Sequence, residues 1–347
     1  DGLRLRGLRL RSAGEDNVEL WRMLADNVRL PRLFIGDLKA QLAAAELGAR
    51  RFRELAADTG YARIKAAQAW YEDYAERRLR AEIAALPDGE YHAERDIDGF
   101  VDAPDPRHRD LHLAVTLRVA GEALEVDLTG CAAQLDDLAI NMPLQGTVTC
   151  SVLTAVRSIL LDEAVSPRIP QNRGLVRPVT ITAPPGTIVN PTFPAPSLCR
   201  VMPAIHLTDT VVRAFAEVVP EKCCAGCGSC SVFTFTGMQG GELWAHFEIH
   251  EGAYGARAAR DGLDASDTLM TNTRCAPIEE VESSVPIRCE RWELNDDAVG
   301  HGRFRGGKGG TRRYRYLVDT HLSCEAEGCE FSPWGMHGGD RKSTRLN

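Results

Sequence analysis

Near residue 88 the hydrophobic pattern of this chain changes period, and that change limits the folds open to it. From Glu15 to about Leu86 the pattern is helical. The run Arg32 to Ala57 is rich in strong helix formers, with Leu38, Leu42, Ala45, Leu55 and Ala56 near one face. Thr59-Gly60 ends it, and Tyr61 to Ala85 forms a second helix that stops before Pro87-Asp88-Gly89. The charge-rich stretch Glu72 to Arg80 fits a solvated helix face with i,i+4 pairs. From Gly89 to Gly130 the period is two: Leu111, Leu113, Val115, Leu117 and Val119 alternate with smaller or polar residues. Gly121-Glu122 then turns the chain into Leu124, Val126 and Leu128. That pattern predicts an antiparallel pair with one buried face.

Further on the elements mix. Val148 to Leu161 and Ala204 to Val219, with Pro203 in the first turn, fit helices; Val176 to Ala183, closed by Pro184-Pro185-Gly186, fits a strand. Strands are expected again at Val232 to Thr236, Leu243 to His250, Val285 to Leu294 and Gly310 to Leu317. Leu3-Arg4-Leu5-Arg6 reads as the middle of another. The fold class is therefore α+β: a helical region over 1–88, then a mixed, mainly antiparallel β region over 89–339 with inserted helices and glycine-rich turns. Residues 340–347 break the texture and resemble translated adapter sequence, so they are set aside as a non-native tail.

Composition excludes several functions. The chain has 347 residues, 41 Lys+Arg and 49 Asp+Glu, a net charge of -8, which disfavours nucleic acid as a partner. No apolar run reaches the roughly 20 residues needed to span a bilayer, and the start carries no secretory signal. Eleven cysteines at irregular spacing make a poor disulfide framework. Seven of them (Cys131, Cys150, Cys199, Cys275, Cys289, Cys324, Cys329) read as small buried hydrophobes in a reducing compartment, the cytoplasm.

Motifs for chemistry are sparse. Cys224, Cys227 and Cys230 stand at C-x-x-C steps that can wrap a metal, although a tightly packed Cys/Gly/Ser loop between a helix and a strand accounts for them as well. Gly306-Gly307-Lys308-Gly309-Gly310 lacks the phosphate-loop spacing and fits turns whose glycines supply positive φ. His108 and His112 sit where i,i+4 spacing does not align ligands, and His246 and His250 share one strand face as a pairing surface. No Gly-x-Ser-x-Gly elbow is present.

Ordered segments carry a resemblance. They include Asp26-Asn27-Val28-Arg29, Gly36 to Gln41, Asp127-Leu128-Thr129-Gly130, Asn141-Met142-Pro143, Pro184 to Pro191, Tyr254-Gly255-Ala256-Arg257, Thr271-Asn272-Thr273, Pro286-Ile287-Arg288, Gly302 to Gly307 and Pro333-Trp334-Gly335. In this order they resemble the hydantoinase B/oxoprolinase family. The resemblance implies the B-type subunit of an ATP-dependent enzyme that opens a 5-oxoproline- or hydantoin-like ring. Alternatives are a ketone carboxylase subunit of the acetone carboxylase type and a non-enzymatic metal-binding module built on Cys223 to Cys230. The resemblance also implies an oligomer, a hydantoinase A-type partner that holds ATP with Mg, and a divalent metal on a segment before Asp1. This chain would then be an N-terminally truncated piece that is inactive alone and binds none of these itself. Substrate contacts are expected from Asn141, Asn272, Thr273 and Arg288: asparagine donating to a carbonyl, arginine gripping a carboxylate. Against each stands a structural role, with Asn272 a turn former and Arg288 paired with a carboxylate such as Glu290. Ala195 to Arg200 departs from the family's glycine-rich pattern and points to an altered pocket loop.

Overall fold

A computed structural model describes residue 3 and residues 5–162, 168–296 and 299–341. Helices α1 (Val18–Asp26), α2 (Pro31–Thr59) and α3 (Tyr61–Ile83) open the chain after a small hairpin, β1 (Arg11–Ser12) and β2 (Glu15–Asp16). Asn17 caps α1 by accepting from the Leu20 N–H, Pro31 begins α2, and Gly60 at φ +85° separates α2 from α3. The strand expected around Leu5 does not form among the described residues 3, 5 and 6; Leu3 and Leu5 stay exposed and have no partner strand to bury them. Residues 1, 2, 4 and 342–347, the last holding most of the tail set aside above, lie outside the described residues.

The apolar positions of α2 bury nothing completely: not one of its residues is buried. By contrast α3 buries Ile64, Ala75, Leu79 and Ile83, the last three within the main core. Large apolar side chains stabilise by roughly 1.5–3 kcal/mol each on full burial, so α3, not α2, anchors the helical region. The acidic stretch of α3 is more than a solvated face. Arg177 binds Glu72, Asp73 and Glu76 at 2.9, 2.8 and 2.9 Å, while Glu76 also pairs with Arg80 at 2.8 Å. Beside this grip Gly174 presses on the helix so closely that a Cβ would fall 1.9 Å from the Glu72 carbonyl oxygen. Gly174→Ala is therefore expected to destabilise by about 2 kcal/mol in urea unfolding, because the 173–175 turn must lift off α3.

Strands β3 (Gly89–Gly99), β4 (Arg109–Ala120), β5 (Ala123–Asp127) and, after α4 (Thr149–Leu160), β6 (Val179–Thr182) form one sheet in the order β3-β4-β5-β6. Gly121, at φ +57°, makes the β4–β5 turn. The first two pairings are antiparallel, while β5 and β6 run parallel, the chain crossing over through α4. Alternate residues Leu111, Leu113, Val115, Leu117 and Val119 are all buried, as their period predicts. Helix α5 (Val201–Phe215) packs on β3, β4 and α4, and every residue except Val201 and Arg213 is buried. A helix covered on all sides carries its polar groups inward, and Asp209 is one of these.

Strands β7 (Ser231–Gln239) and β8 (Glu242–His250) pair, and β11 (Thr320–Ala326) adds to the free edge of β7, giving the order β11-β7-β8. A ribbon of β9 (Ile287–Leu294) and β10 (Gly310–Tyr316), preceded by α6 (Ile278–Ser284), meets this sheet through Phe235, Trp244 and Ile287. The glycines between β9 and β10 are not left-handed as expected: among Gly302, Gly306 and Gly307 none has positive φ. Gly307 is needed for close approach instead, since a Cβ there would lie 2.0 Å from the Leu263 carbonyl oxygen.

Candidate functional site

Two adjoining cavities flank the start of α5. The first, of about 550 Å³, is bounded by α5 (Met202), β7 (Val232, Thr234), β8 (Phe247, Ile249), the 267–273 loop and Glu325 of β11. The second, of about 600 Å³, is bounded by the 99–104 loop, Leu138, Ile140, Cys199 and the end of β11. They share Met202 and Glu325, so they form one trough. Alternation along β8 explains its wall: Phe247 and Ile249 face the trough, while His246, Glu248 and His250 turn to the β9–β10 side. There Glu248 binds Arg312 and Tyr314 beside His246, and its carboxyl falls to about 2, burial being outweighed by His246, Tyr314 and Arg312. His246 stacks on Phe235, and His250 lies tilted against Phe233.

The trough is acidic. Asp102, Asp267, Glu325 and Glu327 line it; among the described residues no arginine or lysine does, and the one histidine, His108, bonds Asp137 at 3.2 Å. Burial would raise the Asp267 carboxyl, yet donors from Thr271 and the backbone of Thr273 hold it below its usual range. Behind it Glu251 is buried with no donor to either oxygen, and burial together with Asp267 pushes it up to about 8. Burial and the neighbouring Asp267 thus favour the protonated form of Glu251.

At the other end Asp98 and Glu327 interlock. Glu327 accepts from the N–H groups of Asp98 (2.8 Å) and Gly99 (3.2 Å), and Asp98 accepts from those of Cys329, Glu330 and Phe331. Burial, with Asp98 next, raises Glu327 to about 8 from an ordinary value near 4.5. The folded chain then binds this proton more tightly than the unfolded one, so stability is full below about pH 4.5 and falls as pH rises toward 8. Glu327→Gln should reduce the drop in melting temperature between about pH 5 and 8; an unchanged slope would argue against this account.

The expected substrate contacts scatter. Asn141 is fully buried and its amide is spent on the chain itself: it accepts from Leu135 N–H at 3.0 Å and donates to the carbonyls of Leu135, Leu138 and Pro196 at 2.7, 3.2 and 2.7 Å. It fixes the floor that Leu138 and Ile140 present to the second cavity. Thr273 reaches the first cavity, whereas Asn272 beside it is exposed and lines neither. Arg288 is exposed on β9, away from the trough, and Glu290 pairs with Arg315 at 2.5 Å rather than with it. The 195–200 loop does shape the site, through Leu198 and Cys199. Glu325 and Glu327 were missed, although Leu322, Cys324 and Ala326 alternate with His321, Ser323 and Glu325 and could have marked β11.

The cysteines also differ from expectation. Of the seven scattered ones only Cys131 is buried; Cys150 and Cys324 are exposed, and all eleven are free thiols. In the 223–230 loop the sulfurs of Cys224 and Cys227 are 3.7 Å apart, whereas that of Cys230 faces Met202 Sδ at 3.7 Å. Burial pushes Cys223 and Cys230 up to about 12, so both are neutral thiols. The loop's small residues serve packing, since a Cβ on Gly226 would lie 2.4 Å from Trp334 N. Among the described residues no three His, Cys, Asp or Glu side chains gather as a metal set.

The model of the family described as hydantoinase B/oxoprolinase matches residues 1–346. The chain belongs to the hydantoinase B/oxoprolinase family. It is 43% identical over 339 residues to the B-type subunit of a putative D-/L-hydantoinase from Pseudomonas sp. (strain NS671), covering 98% of this chain and 57% of that relative. The crystal structure of an ATP-dependent caprolactamase from Pseudomonas jessenii superposes with a TM-score of 0.80 at 24% identity, over 92% of this chain and 55% of that one. A nucleotide-free acetone carboxylase gives 0.78 at 17% identity, over 96% and 45%. At such identities these two likenesses concern the fold alone. The chain thus spans about half the length of these three relatives, and its fold is shared with the two solved structures. No helix is long and apolar enough to cross a membrane among the described residues.

Proposed function

We propose that this chain is part of the B-type subunit of an ATP-dependent enzyme that opens a cyclic amide, with the nucleotide held by an A-type partner. The observation that carries this reading is the identity of 43%, over nearly the whole chain, with a relative named as the B-type subunit of a hydantoinase. The trough adds a preference among rings. A neutral ring meets apolar walls from Met202, Val232, Phe247 and Ile249, and Glu325 stands ready to accept from a ring N–H. A ring bearing a carboxylate, such as 5-oxoproline, meets Asp102, Asp267 and Glu325, and among the described residues no arginine or lysine lines the trough. Neutral rings of the hydantoin or lactam type are therefore preferred, and Glu251, whose protonated form burial favours, is a proton source behind Asp267 for the ring nitrogen.

The full-length protein, coexpressed with its A-type subunit, should open a 5-alkyl hydantoin at least roughly tenfold faster than 5-oxoproline, a difference of about 1.4 kcal/mol. Glu325→Lys should narrow or invert that ratio. A wild-type enzyme that favours 5-oxoproline, or a ratio untouched by Glu325→Lys, would overturn the ring preference. Activity that requires bicarbonate and a ketone would overturn ring opening itself.

A further inference from the structure

A third cavity, of about 560 Å³, shares none of the trough's lining residues. Three stretches distant in sequence, from residues 255–258, 300–306 and 334–340, wall it together with the 225–226 part of the cysteine loop. Much of that wall is glycine, so main chain rather than side chains forms the surface.

Two arginines face it. Arg257 donates to the Asp261 carbonyl oxygen at 3.0 Å, but its Nε is buried without a partner. Arg303 lies 5.5 Å from the Phe304 ring, and among the described residues neither arginine has a carboxylate within ion-pair distance. That sets them apart from Arg95, Arg177, Arg305 and Arg312, each of which binds a carboxylate. A guanidinium without a carboxylate partner keeps N–H donors that carboxylate and phosphate oxygens match. The cavity is far larger than an inorganic ion, and Trp334 and Phe304 give it aromatic walls. Glu221 and Asp340 also line it, so a doubly charged head meets more repulsion there than a singly charged one.

We infer that this cavity binds an organic carboxylate, its head on Arg257 and Arg303 and its apolar body against Trp334 and Phe304. The site is independent of the ring-opening assignment. Titration calorimetry on the full-length protein tests it with phenylacetate, phenylacetamide and phenyl phosphate. Phenylacetate should bind roughly tenfold more tightly than the neutral amide, and Arg303→Gln, at an exposed position, should lose roughly tenfold in phenylacetate affinity. Arg303→Lys, which keeps the charge without the fork, should fall between and serves if the glutamine variant folds poorly. No binding of phenylacetate, equal affinity for the amide, or an unaltered Arg303→Gln affinity overturns the inference. Tighter binding of phenyl phosphate overturns the carboxylate assignment.

Discussion

Asp209→Ala is expected to cost about 3–5 kcal/mol of stability, because it leaves the Arg95 guanidinium buried without its counter-charge. Asp209 sits on α5, is 1% exposed, and binds Arg95 of β3 at 3.0 Å. The same carboxylate accepts from Trp334 Nε1 at 2.8 Å and from the Cys227 N–H at 3.2 Å. Burial works to raise its pKa while Arg95 opposes that rise, and the carboxylate joins the central helix, the first sheet, the cysteine loop and the Trp334 segment. Asp209→Asn keeps acceptor and shape for Trp334 and Cys227 but not the charge, so it should fall between wild type and alanine. The urea midpoints of the three proteins check the order. An alanine variant within about 1 kcal/mol of wild type would mean that Arg95 finds another partner.

Asn141→Ala is the second large effect, about 3 kcal/mol or more. One buried amide there satisfies one N–H and three carbonyl oxygens, and each group left unpaired in the interior costs roughly 1–3 kcal/mol. Asn141→Asp should fare no better, since a carboxylate would face carbonyl oxygens that need donors. Comparable melting temperatures for the asparagine and aspartate proteins would contradict this account. The prediction also separates two roles for the residue. Asn141 as a direct substrate contact would lower activity without lowering stability, whereas Asn141 as the staple beneath Leu138 and Ile140 lowers both.

Much of the fold was legible because burial here follows period. Leu111 to Val119, the Gly121 turn, the two long helices and the break at Gly60 fall where hydrophobic spacing and glycine place them. Spacing could not show that α2 has an apolar stripe with nothing buried beneath it, since amphipathicity names a face but not its cover. The site was less legible. Asn141 and Arg288 stand out as residue types suited to binding, yet one is consumed by backbone groups and the other lies on an exposed ribbon. What makes the trough is the meeting of α5, β8, β11 and the 267–273 loop, from residue 202 to residue 325, a proximity set by tertiary packing alone. Gly255 to Arg257, Gly302 to Gly306 and Trp334-Gly335 stand apart in sequence and converge on one cavity, which no single motif could show.

The ring-opening assignment is tested most directly by coupling. The full-length protein with its A-type subunit is given a 5-alkyl hydantoin, and ADP release and ring-opened product are measured together, with each subunit omitted in turn. The account predicts that ADP and product appear in step, and only when both subunits, ATP and the ring are present. Ring opening without ATP, or by either subunit alone, would contradict it.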